Sequence, residues 1–261
     1  MNKSVFKVLG SAAAAAIPTL FCDCQVCQHA RKFGGKDVRL RTAYAIDDKI
    51  RIDFGPDALV QSIKFGLDGL NLKHIFFTHS HEDHLFAMDL ETLMRREEKI
   101  NIYGNKAVEN VLSKHYFFEE RIIFHLLEPG DTVYIPESGI KVTAYQGNHI
   151  PTETSLFYLF EHDGKRILIA NDTMDFPDCT VEKLAGIHLD YIFADCTWGD
   201  IDRQVGHMGI PVIKRQLEKL RAVGAVDDST VTYPVHIAHN WALPHDQLSM
   251  TPAYDGMEIE W

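Results

Sequence analysis

The sequence lacks an excess of positive charge. It contains 26 Lys and Arg residues against 37 Asp and Glu residues, which gives a formal net charge of −11 over 261 residues. This balance argues against a broad basic surface for duplex nucleic acid. It leaves room for a small anionic substrate, because bound divalent cations make a site locally positive.

The sequence also lacks internal repeats, and its one low-complexity tract is the alanine run at residues 12–16. With 46% hydrophobic and 24% charged residues, a chain of this length can bury a large core without dividing into two units. We therefore predict a single domain spanning residues 1–261.

The amino terminus resembles a secretory signal peptide. Lys3 and Lys7 precede an apolar stretch over residues 8–21. Gly10 and Pro18 interrupt this stretch, which is too short to span a bilayer. We predict instead a strand over residues 5–9 and a loop over residues 10–19, in a cytoplasmic protein with no membrane partner.

Cysteine is scarce, and three of the five cysteines lie within six residues, at Cys22, Cys24 and Cys27. They are too closely spaced for an ordinary disulfide framework. Three thiolates that converge on zinc need one more ligand to complete a tetrahedron. The alternative is three buried or free thiols in a reducing compartment. Cys179 and Cys196 stand alone, and we predict that both are core residues.

Histidine, by contrast, is abundant, with 14 residues. Three of them lie in the stretch THSHEDH at residues 78–84, directly after an apolar run. Imidazole and carboxylate are ligands that zinc accepts. In a tight turn after a strand, His79 and His81 can face one ion, while Asp83 and His84 face a second. The alternative is a solvated loop that happens to be rich in histidine.

Further candidates follow predicted strands. His149 comes after a strand over residues 140–146, at the end of a strand where loops gather around a ligand. Asp172 follows a strand over 166–170 and suits a carboxylate that bridges two ions, although a turn aspartate is the alternative. His236 follows a strand over 231–235. Asp53 lies near the end of another strand and is a candidate for orienting a metal-binding histidine, with an ordinary turn aspartate as the alternative.

Two more histidines have distinct candidate roles. His207 lies in a Gly-His context before a predicted helix over residues 210–223, where the helix dipole should lower its pKa while leaving it able to donate a hydrogen bond to an anion. His239, three residues after His236, is the candidate fourth ligand for the cysteine cluster. The other histidines are predicted to be surface or packing residues: His29, His74, His115, His125, His162, His188 and His245.

The rest of the chain alternates between strand and helix patterns, which is typical of an α/β protein. Additional strands are predicted over residues 49–55, 72–78, 101–103, 122–127, 132–135, 156–161 and 191–194, and additional helices over 60–67, 85–98 and 107–115.

The motif His79-x-His81-x-Asp83-His84 resembles the signature of the metallo-β-lactamase superfamily, with every required position filled. Four further features together resemble the PhnP branch of phosphoribosyl cyclic phosphodiesterases, and this likeness runs the length of the chain. They are Cys22-x-Cys24-x-x-Cys27, His207 after a glycine, His236-x-x-His239 and the tail at residues 255–259.

This resemblance implies a four-layer αββα sandwich with two metal ions at one edge of the sheets. The implied ligands are His79, His81 and His149 for one ion, Asp83, His84 and His236 for the other, Asp172 between them, and Cys22, Cys24, Cys27 and His239 for a structural zinc. It also places His207 beside the substrate phosphate. The chain departs from the branch at the alanine-rich loop 11–16, where a glycine-rich loop is expected, and at Trp198.

The function expected from this site is hydrolysis of a small, cyclic phosphodiester by a hydroxide that bridges two zinc or manganese ions. A lactone or thioester hydrolase could use the same core. A transfer-RNA-processing nuclease usually carries a long Gly/Pro-rich arm, which is not found between Asp172 and His236. Flavo-diiron chemistry would need Glu in place of His81, and a non-catalytic protein would normally have lost a ligand. The sequence leaves open whether the chain forms a homodimer.

Overall fold

The structure, a computed structural model, describes residues 4–261, so that Lys3 of the leader-like segment lies outside the described residues. The strands are β1 (Val5–Gly10), β2 (Ala43–Ile46), β3 (Ile50–Ile52), β4 (His74–Phe76), β5 (Ile100–Gly104), β6 (Ile122–Leu126), β7 (Thr132–Ile135), β8 (Ile140–Gln146), β9 (Leu156–His162), β10 (Lys165–Ala170), β11 (Tyr191–Asp195), β12 (Gln204–Val205), β13 (His207–Met208), β14 (Val231–Val235) and β15 (Glu258–Glu260). The α-helices are α1 (Gln25–Phe33), α2 (Ala58–Phe65), α3 (Ala87–Leu90), α4 (Lys106–Leu112), α5 (Phe117–Arg121), α6 (Asp178–Lys183) and α7 (Ile210–Ala222).

The strands form two mixed sheets and one small hairpin. The first sheet has the order β15-β1-β2-β3-β4-β5-β6, the second has the order β14-β11-β10-β9-β8-β7, and β12 pairs with β13. Strands β3 to β6 run parallel, as do β10, β11 and β14. The carboxyl ends of parallel strands meet at one edge of a sheet, and this is where ligands bind in open α/β sheets.

Aromatic side chains fill the space between the two sheets. The Phe6 and Phe193 rings stack at 4.9 Å, and Phe76 packs edge-on against Tyr158 at 5.4 Å. All four side chains are fully buried. Each strand that contributes to this layer turns alternate residues toward it, so the sheets are held face to face by apolar burial.

Helices cover the outer faces of both sheets. Ile210, Ile213 and Leu220 of α7 pack onto the second sheet, while Leu112 of α4 lies in a separate apolar cluster on the first. The chain therefore has two sheets between two helical layers, and the predicted αββα sandwich is confirmed. Within the described residues, no helix is long and apolar enough to cross a membrane.

The helix predicted over residues 85–98 is wrong in its length and partly in its type. The α-helix α3 ends at Leu90, and a 3₁₀ helix occupies Glu91–Arg95. Ala87, Leu90 and Leu93 are buried. Residues three apart share one face of a 3₁₀ helix, so the tighter turn after Leu90 keeps Leu93 on the buried face.

Candidate metal centre

The candidate residues gather at one edge of the two sheets because each follows a strand. Residues 79–84 follow β4, His149 follows β8, Asp172 follows β10 and His236 follows β14. These strands lie in different sheets, so the turns that leave them face each other across the sandwich. His84 and His236, far apart in the sequence, thereby come to a ring-centroid distance of 5.5 Å.

One group consists of His79, His81 and His149, whose nearest ring nitrogens lie within 4.8 Å of one another. His149 Nε2 is 3.3 Å from His81 Nδ1. The His79 ring centroid lies 4.5 Å from that of His81 and 5.1 Å from that of His149. Three imidazoles that turn their nitrogens to a common point form a suitable facial ligand set for a divalent cation.

A second group consists of Asp83, His84 and His236, and Asp172 lies between the two groups. Asp172 Oδ2 is 3.1 Å from His84 Nε2, while Oδ1 is 3.3 Å from His236 Nε2 and 3.7 Å from His149 Nε2. Asp172 therefore lies against histidines of both groups, which is the arrangement required of a carboxylate shared by two cations.

Several buried atoms of this cluster lack hydrogen-bond partners among the described residues. They are the Nε2 atoms of His79, His84 and His236 and Oδ2 of Asp172. Burying a polar atom without a hydrogen-bond partner lowers the stability of the fold, since the atom loses its hydrogen bonds to water. Divalent cations would satisfy all four atoms, so the donor set fits the ions that the sequence implies.

The opposite ring nitrogens are held by partners outside the cluster. His84 Nδ1–H donates to Asp53 at 2.6 Å, and His149 Nδ1–H donates to the Gly206 carbonyl at 2.9 Å. The Nδ1 atoms of His79 and His236 lie 3.0 and 2.9 Å from the hydroxyls of Thr78 and Thr197. Such contacts fix the ring orientation and direct the Nε2 lone pairs of these histidines into the cluster.

Asp53 is fully buried and also accepts hydrogen bonds from the backbone N–H and hydroxyl of Thr78. Replacing it with Asn should weaken metal binding about 10–100-fold, because the anchor of His84 loses its charge. Competition with a chromogenic chelator measures this affinity. Asp68→Asn, at an exposed turn residue, is the control, and equal affinities for the two variants would exclude the role of Asp53.

The backbone is strained at the same place. Asp53, Asp172 and His236 all have positive φ angles, of 61°, 52° and 57°. This left-handed conformation costs of order 1–3 kcal/mol for each residue that is not glycine and is concentrated at functional sites. The sharp turns that it produces direct these three side chains back toward the strand ends.

A glutamate fixes the motif loop from outside. Glu153 accepts hydrogen bonds from the Ser80 hydroxyl at 2.6 Å and from Asn105 Nδ2 at 2.8 Å. Ser80 lies between His79 and His81, so Glu153 restrains the part of the loop that carries both histidines. No local sequence pattern marks Glu153, because its contact with Ser80 spans 73 residues.

Burial and charge act in opposite directions within the cluster. Burial lowers the pKa of His79 well below its usual value, and the nearby His84 lowers it further. Burial also lowers the pKa of His84, but the carboxylates of Asp172, Asp83 and Asp53 outweigh it, and the pKa rises. The histidines in turn hold the pKa of Asp172 well below its usual range, against the effect of burial.

His207 stacks on His236, with ring centroids 5.1 Å apart, and lies 4.8 Å from His149. The structure therefore brings it to the cluster. It belongs to strand β13, and its Nδ1 is 2.6 Å from Oδ2 of the buried Asp195.

The predicted pKa of His207 is wrong in direction. Burial lowers the pKa, but Asp195, Asp172 and Asp83 outweigh it and raise the pKa to about 9. The helix dipole acts weakly here, because α7 begins only at Ile210. Asp195 also accepts from the backbone N–H groups of Thr197 and Met208. Asp195 was not among the predicted site residues, although it stands at the end of an apolar strand, which is the same sequence signal that marks Asp172.

The cysteine cluster forms a separate site. Cys22 Sγ and Cys24 Sγ lie 3.4 and 3.5 Å from His239 Nδ1, and the sulfur of Cys27 completes a group within 4.8 Å. Burial raises the pKa of Cys27 to about 11, whereas the Cys24 backbone N–H lowers that of Cys22. Three sulfurs and one imidazole are a suitable donor set for tetrahedral zinc.

The remaining cysteines differ from each other. Cys196 is fully buried, as predicted, but Cys179 is exposed, so the prediction of a core position for Cys179 is wrong. Cys179 lies near the start of the short helix α6, where its thiol donates to the side-chain oxygen of the exposed Gln146 at 3.6 Å.

Comparisons with known proteins agree with this fold. The family model described as the β-lactamase superfamily domain matches residues 49–237. A diphosphatase from the PhnP family is similar in structure, with a TM-score of 0.80 and 26% identity over 100% of this chain and 98% of that chain. A search of curated proteins finds no match to the sequence.

Two more distant structures share the fold. Zinc-bound PqqB from Methylobacterium extorquens has a TM-score of 0.76 and 16% identity over 98% of this chain and 100% of its own. The short form of human tRNase Z has a TM-score of 0.69 and 18% identity, with 98% of each chain covered.

Proposed function

The chain belongs to the β-lactamase superfamily, whose members are metal-dependent hydrolases, and from this premise we propose that it is a dinuclear phosphodiesterase acting on a small substrate. Cyclic phosphodiesters are the first candidates. The proposed ions are zinc or manganese, held by His79, His81 and His149 on one side and by Asp83, His84 and His236 on the other, with Asp172 shared.

One observation carries this proposal: four buried atoms that could bind a metal ion, three imidazole nitrogens and one carboxylate oxygen, have no hydrogen-bond partner among the described residues. Bound at these atoms, a pair of divalent cations would lower the pKa of water and neutralise charge on phosphoryl oxygens. The protein supplies a rigid framework, because contacts on the far side of the rings set the orientation of the histidines before any ion binds.

His207 supports the choice of a phosphate ester. Asp195 holds its Nδ1 and leaves Nε2 as the ring atom that can meet a substrate. A histidine fixed in this way can donate a hydrogen bond to a phosphoryl oxygen and transfer a proton to the leaving oxygen. An ester of a neutral carbonyl has less need of such a donor, so His207 favours a phosphodiester over a lactone or thioester.

Activity assays test this proposal directly. The metal-loaded protein should hydrolyse at least one member of a panel of cyclic nucleotides, phosphoribosyl cyclic phosphates and linear aryl diesters. The same preparation should not hydrolyse a lactone, a thioester or a precursor transfer RNA at a comparable kcat/KM. Turnover confined to the lactone or thioester would replace the proposal with the first rival, and cleavage confined to the RNA would replace it with the nuclease.

We also propose that Cys22, Cys24, Cys27 and His239 hold a structural zinc. Cys24→Ala should then lower the zinc content by one equivalent and lower the melting temperature, because the N-terminal loop and the turn at His239 lose their link. Elemental analysis and thermal unfolding measure the two effects. Cys179→Ala is the matched control at an exposed thiol, and a zinc content that Cys24→Ala leaves unchanged would contradict the assignment.

A further inference from the structure

The apolar stretch at residues 8–21, which resembles a signal peptide in the sequence, ends in an exposed loop. We call residues 14–21 the apolar loop. Its last two side chains, Leu20 and Phe21, are 79% and 105% exposed, and none of residues 8–22 is charged. Adjacent large apolar side chains that are fully exposed to water mark a contact with a partner or a lipid surface.

The tip of the apolar loop is fixed through its backbone. The guanidinium of Arg31, on helix α1, donates to the Thr19 carbonyl at 2.8 Å and to the Cys22 carbonyl at 2.5 Å. These two carbonyls lie on either side of Leu20 and Phe21. Phe21 is moreover held in a left-handed conformation, with a φ of 59°, which is uncommon for a bulky residue. The fold therefore presents both side chains outward in a defined orientation.

The surroundings of the loop are basic, although the chain as a whole has a net charge of −11. Within residues 8–36, Asp23 is the only acidic residue, against Arg31, Lys32 and Lys36. Arg31 and Lys32 are both exposed, and Arg31 is the residue that fixes the tip. An apolar tip beside exposed cations complements a surface that is negatively charged outside and apolar beneath.

A second copy of the chain suits this surface less well than a lipid bilayer does. In a two-fold dimer the same patch of both copies is in contact, so that Arg31 and Lys32 of one copy would face those of the other. Like charges at such an interface oppose association. A bilayer needs no matching pocket for a protruding tip, since apolar side chains can enter the boundary between headgroups and acyl chains.

We propose that the apolar loop docks the protein on an anionic lipid surface. Leu20 and Phe21 enter the boundary between headgroups and acyl chains, while Arg31 and Lys32 contact the anionic headgroups. This contact is peripheral and goes beyond the proposed function, on which it does not depend. It revises the expectation of no membrane partner, which was drawn from the lack of a segment long enough to span a bilayer.

Cosedimentation of the metal-loaded protein with lipid vesicles tests the inference. The wild type should bind vesicles of phosphatidylcholine mixed with phosphatidylserine, bind phosphatidylcholine alone more weakly, and dissociate as the salt concentration rises. The double variant Leu20→Ser with Phe21→Ser should bind the anionic vesicles at least about 10-fold more weakly, because two apolar side chains no longer leave water. Lys32→Gln should weaken binding about five-fold.

Matched controls come from other surfaces of the protein. Leu59→Ser with Ile63→Ser removes two exposed apolar side chains from α2, and Lys114→Gln removes an exposed lysine. Both controls should bind as the wild type does. The Leu20 and Phe21 double variant should keep the zinc content and melting temperature of the wild type, because both side chains are exposed.

Several results would overturn the inference. They are a wild type that does not bind the anionic vesicles, one that binds both kinds of vesicle equally, a loop double variant that binds as the wild type does, and an α2 control that loses binding to the same extent. Analytical ultracentrifugation without lipid decides the alternative occupant. A dimer of the wild type that the loop double variant abolishes would assign the apolar loop to a contact between copies and reject the lipid surface.

Discussion

Asp172→Ala is expected to lower kcat by about 10³-fold or more, since the charge stabilisation lost with a cation is worth several kcal/mol. Asp172 contacts histidines of both proposed groups, because its Oδ2 lies 3.1 Å from His84 and its Oδ1 lies 3.7 Å from His149. Its removal should therefore disturb both ions, whereas the loss of one histidine disturbs mainly its own group. We expect metal content at the catalytic site to fall together with turnover.

The control for this variant is Asp163→Ala. Asp163 also has a positive φ, of 46°, but it lies in the exposed turn between β9 and β10. The two variants thus share the backbone effect of placing alanine in a left-handed position. If Asp172→Ala and Asp163→Ala have similar kcat values while both remain folded, Asp172 is not a ligand of catalytic ions.

His207→Ala should lower kcat by about 10²–10⁴-fold and leave the metal content unchanged. His207 contacts the cluster through ring stacking on His236 and through Asp195. Its loss therefore removes a donor to the phosphate without removing a proposed ligand. A substrate with a good leaving group should be affected less than one with a poor leaving group, because only the latter requires a proton on its leaving oxygen.

Two further variants separate catalysis from structure. Asp195→Asn should lower kcat in the same direction as His207→Ala, since the histidine loses its anionic partner. His188→Ala replaces a partly exposed histidine remote from the cluster and should have wild-type kcat. A His207→Ala variant that retains full activity on both kinds of leaving group would show that His207 has no part in the reaction.

The convergence of these side chains could largely be predicted from the sequence, for physical reasons. His79, His81, Asp83 and His84 lie within six residues, so a single turn must bring them together. His149, Asp172 and His236 each follow an apolar strand, and the alternation of strands and helices directs such positions to one edge of a sandwich. The family resemblance then assigned these residues to two groups, and the structure brings both groups together.

Contacts between distant segments could not be predicted in this way. The pairing of β15 with β1 joins Ile259 to Phe6, and neither segment carries a local sign of the other. Asp195 acquires its role from His207, 12 residues away, through a turn and a hairpin. The stack of Arg203 on Trp198 depends on the same hairpin. In each case, the decisive interaction is created by the tertiary fold.

The central claim is that two cations bind where these side chains converge. Anomalous diffraction from crystals of the metal-loaded protein, recorded on both sides of the metal absorption edge, measures this directly. We expect two peaks about 3.5–4 Å apart, one beside His79, His81 and His149 and the other beside Asp83, His84 and His236, with Asp172 touching both. A fully loaded protein with no peak, or only a single peak, among these residues would contradict it.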